Sequence, residues 1–199
     1  QVFDLFAGAY IANQPSRSYS LYGLGAGFAD FLASTRPAGL GPQSLEAIPA
    51  SFARLERAIA ESQRAVGTEA STATTLPSET LLHIAPHLRW RLPDSTQLLH
   101  LDFDFSEALY AARRGDQPSV PPVRETHVAV ARSQYRVRVH AVTPLWFAWL
   151  QALDHEGAAM HEAVAAAAES NNAEPGAIIA ALAFWLPHAI GSGMCCAAT

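Results

Sequence analysis

The chain has 199 residues, half of them hydrophobic and 16% charged, with a formal net charge of −5. That balance excludes intrinsic disorder and leaves enough chain for one large domain or two small ones. All thirteen basic residues are Arg, so the chain lacks the basic excess with which nucleic-acid binders neutralise phosphate.

Cys195 and Cys196 are adjacent, and neighbours in sequence rarely meet the geometry of a disulfide. The absence of a disulfide framework fits a reducing, cytoplasmic setting. No apolar run approaches the ~20 residues that span a bilayer, and the sequence opens without a signal-peptide pattern.

In chain order, residues 2–13 predict a helix, with Phe3, Phe6 and Tyr10 on one face. A Ser- and Pro-bearing loop over 14–20 leads to a second helix over 22–34. Residues 36–42 are a Pro/Gly loop. The clearest periodicity follows, with Leu45, Ile48, Phe52, Leu55, Ile59, Ser62 and Val66 in steps of three and four. This is an amphipathic helix that starts at Ile48 or Pro49, where proline costs no intrahelical donor, and stops by Gly67. A Thr-rich connector over 68–75 precedes a short helix over 76–83. Residues 88–92 and 97–103 read as strands, and 106–113 as a helix. The stretch 115–124 holds three prolines and marks a domain boundary. Strands over 126–132 and 135–142 then form a hairpin with Ser133-Gln134 as its turn. Thr143 caps a helix with Pro144 at its first position, ending near Gly157. Further helices cover 160–169 and 174–188.

The fold class expected is α+β, mainly helical. A helical part over 1–114 and a linker over 115–124 precede a winged-helix-like part over 125–199, a β-hairpin with three helices.

Several groups invite a chemical reading. Gly23, Gly25 and Gly27 precede a helix, but no clear strand precedes them and no Lys follows, so an ordinary turn is favoured over a nucleotide site. His83 and His87 have metal-ligand spacing, yet Pro86 between them breaks the helix such a pair needs. His155, Glu156, His161 and Glu162 gather at a helix junction. Asp102 and Asp104 share a strand face and are read as exposed. The Cys195-Cys196 tail is read as mobile or as a last short strand. With no nucleophile elbow, Walker loop or CxxC pair, no catalytic residue and no metal ligand is assigned. Arg124, Arg132, Arg136 and Arg138 concentrate positive charge at the hairpin, as a DNA-contacting wing, a seat for an acidic peptide added along the sheet edge, or a solvated face.

Pro15-Ser16-Arg17-Ser18, Leu21-Tyr22-Gly23, the FADFL run over 28–32 and Ala53-Arg54-Leu55-Glu56 together resemble the HvfC/BufC-like family, long labelled a DNA-binding domain. Residues 81–93, Tyr135-Arg136-Val137-Arg138-Val139 and 150–157 extend the resemblance over nearly the whole chain. Two features depart from the family: its helices upstream of Phe3 have no counterpart, and the hairpin turn lacks the common Asp-Gly. The resemblance implies a non-catalytic accessory subunit. Such a subunit binds a multinuclear non-heme iron-dependent oxidative enzyme and recruits the leader of a ribosomally made precursor peptide for cysteine modification, often linked to copper handling. The iron is then the partner's, and this chain carries no cofactor. Tyr135, Arg136 and Arg138 are the expected peptide contacts, and Arg54 and Glu56 the expected enzyme contacts. The alternatives are a winged-helix-like DNA-binding regulator and, more weakly, a small metal enzyme using the His155/His161 cluster.

Overall fold

The structure is a computed structural model that describes residues 2–14, 20–69 and 88–198. The expected helix over 76–83, His83, His87 and the Pro15–Ser18 motif lie outside the described residues. The chain is mixed α and β, with two small antiparallel sheets among the described residues. Among the described residues, no single helix is long and apolar enough to cross a membrane.

Two compact units are each assembled from two stretches of chain, 1–57 with 101–126 and 58–100 with 127–199. Sequence reading places one boundary in the proline-rich stretch. That stretch is exposed, but the Pro122 carbonyl accepts from the Asp104 backbone N–H at 3.1 Å and a strand begins at Val123. The chain changes unit just beyond this stretch, at 126/127, as well as at 57/58 and 100/101.

The first unit holds α1 (Val2–Asn13), α2 (Leu21–Leu24), α3 (Phe28–Ser34), the first half of α4 (Ile48–Arg64) and α5 (Ser106–Arg114). The single helix expected over 22–34 is interrupted by a 3₁₀ turn, Gly25–Gly27. Tyr10 is buried against the rings of Phe28 and Phe31, each 5.3 Å away, and its hydroxyl donates to the Leu24 carbonyl at 2.6 Å. A Cβ on Gly27 would stand 3.2 Å from that hydroxyl oxygen, so the glycine makes room for Tyr10. Arg57 donates to the Tyr22 carbonyl and lies 3.9 Å over its ring. Phe52, Phe103 and Phe105 form a second aromatic cluster. The α4 stripe reads correctly at its centre, where Leu55 and Ser62 are buried, whereas Leu45 and Val66 fall outside the helix and are exposed.

The second unit contains the main apolar core. Helices α6 (Pro144–Ala152), α7 (Met160–Asn171) and α8 (Pro175–Gly191) bury Trp149, Leu150, Ile178, Leu182 and Leu186. Burying each contributes about 1.5–3 kcal/mol. Ala163 and Ala167 on α7 are fully buried, small enough for neighbouring helices to approach closely. Thr143 caps α6 as expected, its hydroxyl accepting from the Trp146 N–H. That helix ends at Ala152, earlier than Gly157. A small sheet β5–β1–β6 joins β1 (Arg89–Arg91), β5 (Ala158–Ala159) and β6 (Cys196–Ala197) around the fully buried Trp90. The cysteine tail is therefore an ordered, buried strand.

The other sheet has the order β2–β3–β4, from β2 (Gln97–Phe103), β3 (Val123–Ser133) and β4 (Arg136–Val142). Its outer strand β4 has β3 as its one partner among the described residues.

Candidate peptide-binding edge

The β3–β4 hairpin pairs Ser133 with Arg136, Ala131 with Arg138 and Ala129 with His140, in unbroken register to His127 and Val142. Its turn is Gln134-Tyr135, both at positive φ (51° and 61°), one residue beyond the expected Ser133-Gln134. A two-residue turn with both central residues left-handed suits the strand twist and normally selects Gly or Asn. Here it is held from outside. Glu69 accepts from the Tyr135 backbone N–H at 3.1 Å and pairs with Arg132 at 2.8 Å. The hydrogen bonds from Arg132 hold the Glu69 carboxyl below its ordinary pKa, against the opposing effect of burial. Hydrophobic alternation could not settle the register, since Val128 and Val130 on one face and Ala129 and Ala131 on the other are all buried.

The four hairpin arginines do not form one patch. Arg124 pairs with Asp104, a buried carboxylate that also accepts from the Ser106 backbone N–H. Asp104 is thus a structural anchor, contrary to its reading as an exposed residue. Arg132 is occupied by Glu69 and the Gln63 carbonyl. Arg136 and Arg138 are exposed on one face of β4, and neither forms an ion pair among the described residues. Tyr135 projects at the turn with 79% of its surface exposed.

The edge geometry follows from the turn. Residues flanking a two-residue turn exchange hydrogen bonds, and alternate residues then face inward and outward. Arg136, Arg138 and His140 bond toward β3, so the backbone groups of Val137, Val139 and Ala141 face away from it, toward an edge with no strand partner among the described residues. Guanidinium side chains and a row of backbone donors and acceptors thus lie along one strand.

Elsewhere the candidates resolve into structure. Glu162 accepts from the Ala159 N–H at 2.9 Å at the start of α7, and His155 meets the Leu92 carbonyl and, at 3.7 Å, Asp94, so no metal group forms from the 155–162 cluster. Gly25–Gly27 is the turn over Tyr10. Burial pushes the thiol pKa of Cys195 and of Cys196 up. Arg54 and Glu56 both lie exposed on α4.

Sequence reading passed over His100 and His127. Their rings stack 4.9 Å apart, with His127 edge-on to Phe147. Pairing the strand pattern of 97–103 with that of 126–132 would have brought them together. A pair of imidazoles supplies two of the three protein ligands of a catalytic zinc site, and Glu125 stands two residues before His127 on the same strand. No signal marked Glu69, whose partner lies 63 residues away.

No protein-family model matches the chain, and no curated protein matches it at a significant level.

Proposed function

We propose that this chain is a non-catalytic, cytoplasmic accessory subunit whose C-terminal, winged-helix-like part binds an acidic peptide segment as an added strand along β4. The observation that carries this reading is that, among the described residues, the outer edge of β4 has no strand partner and Arg136 and Arg138 beside it are exposed and without an ion-pair partner. Backbone pairing supplies affinity in strand addition, and alternate side chains supply selectivity. Following the resemblance, the peptide is the leader of a ribosomal precursor and the partner is a multinuclear non-heme iron oxidative enzyme. The enzyme docks on the helical part, where Arg54 and Glu56 are exposed. Holding the leader raises the effective concentration of the core cysteine at the partner's iron, which this chain does not need to bind.

Fluorescence anisotropy with an acidic leader-like peptide tests the reading, beside co-purification with a multinuclear non-heme iron oxidative enzyme. Saturable peptide binding that Arg136→Ala/Arg138→Ala weakens supports it. Retention of duplex DNA with a steep salt dependence, and none of peptide, would replace it with a DNA-binding regulator. The engagement of Arg124 and Arg132 by carboxylates weighs against that second reading.

A further inference from the structure

We propose that His140 and His188 form an acid-sensitive latch behind the edge strand, so that β4 is ordered for peptide addition at neutral pH and loosens on acidification. This rests on the peptide reading and adds regulation to that same edge.

His140 lies on β4 opposite Ala129, and its ring stands edge-on to that of His188 on α8, with centroids 5.9 Å apart. Its Nε2 is enclosed and has no hydrogen-bond partner among the described residues. A neutral imidazole can leave that nitrogen as an idle acceptor. An imidazolium carries a donor on both nitrogens, and an enclosed donor without an acceptor is strongly disfavoured.

The charged and titratable neighbours offer no relief. From α8 comes His188, along β4 comes Arg138, and on β3 the residue opposite is Ala129, with His127 one paired position further along the same face. None of these is a carboxylate. Burial, then His188, then Arg138 hold the His140 pKa below its ordinary value.

The sign follows. The fold prefers neutral His140, so its contribution is full above the ordinary imidazole pKa of about 6.5 and is lost as pH falls through the lower native value. The strain falls on two yielding elements. One is β4, the sheet edge. The other is the C-terminal end of α8, where Pro187, just before the last turn, lacks an N–H to complete the helix ladder. Separating them displaces the strand that carries the outward groups of Val137, Val139 and Ala141.

Two measurements on the full chain test this. The first needs no peptide: hydrogen exchange of β4 amides between pH 7.5 and 5.5, corrected for intrinsic rates. Protection at Arg138 and His140 is expected to drop about fivefold in the native chain and to stay flat in His140→Gln. His188→Gln, at an exposed position, is expected to halve the drop and guards against a misfolded His140 variant. The second is anisotropy of a labelled twelve-residue Glu-rich peptide at both pH values, where affinity should fall in parallel and the fall should vanish in His140→Gln. Identical pH profiles in native and both variant chains would overturn the latch. Absence of peptide binding at pH 7.5 with a pH-dependent β4 would overturn the peptide reading and leave the latch standing.

Discussion

Glu69 and Arg132 grip each other through two contacts, Nε to Oε1 at 2.8 Å and Nη2 to Oε2 at 3.2 Å, with only 9% and 12% of their side chains exposed. The pair ties a loop before β1 to the hairpin tip, and the same carboxylate holds the Tyr135 N–H.

Glu69→Gln keeps the shape and removes the charge, leaving a buried guanidinium poorly matched. It is expected to cost about 2–3 kcal/mol. For a chain of this size, that lowers Tm by roughly 5–10 °C. Because Arg132 holds the Glu69 pKa below 4.5, the native advantage is full above that value and disappears as pH falls through the lower native pKa. Melting curves of both chains should differ fully at pH 7, and the gap should narrow progressively as pH is lowered below 4.5.

Arg136→Ala/Arg138→Ala is expected to leave stability within about 0.5 kcal/mol, since both side chains are exposed. The same variant should weaken an acidic peptide about tenfold at low salt and flatten its salt dependence. Amide exchange supplies the geometric check: Val137, Val139 and Ala141 should gain protection on peptide addition, while amides already bonded to β3 change little.

Tyr135→Gly should act in opposite directions on two readouts. The residue sits at φ 61° with an exposed side chain. Glycine there removes about 1–2 kcal/mol of left-handed strain. Denaturant titration is expected to show the gain, and peptide affinity to fall if the tyrosine ring meets the peptide. Unchanged affinity would remove Tyr135 from the contact set.

Much of this architecture is legible in sequence because its cause is local. Thr143-Pro144 caps α6 through a hydroxyl three residues from its donor, and the α4 stripe needs only helical spacing. The Gln134-Tyr135 turn is not legible, because Glu69, distant in sequence, supplies what Gly usually supplies. Charge was the least legible feature: four arginines in one hairpin look alike as letters, and only folding pairs Arg124 with Asp104 and Arg132 with Glu69. The pairing of His100 with His127 depends on strand register, which two doubly buried faces leave underdetermined.

Removal of metal is expected to leave the chain's peptide affinity unchanged, with the purified subunit metal-free by elemental analysis. A chelator-induced loss restored by zinc and absent in His127→Ala would assign a metal to the His100/His127 pair.

Both cysteines should resist a thiol reagent in the native state. Thiolate is the reactive form, and burial disfavours it at Cys195 and Cys196. Labelling is expected only after denaturant is added; rapid modification of the native chain would show that β6 opens.

The chain passes from one compact unit to the other at 57/58, 100/101 and 126/127, each time inside α4, β2 or β3. No single cut therefore frees either unit. A protease that nicks the exposed 115–124 segment should leave two fragments that stay together until denaturant is added, and a truncation at that point would remove strands from both units at once. Dissection must act on side chains, because the backbone offers no seam.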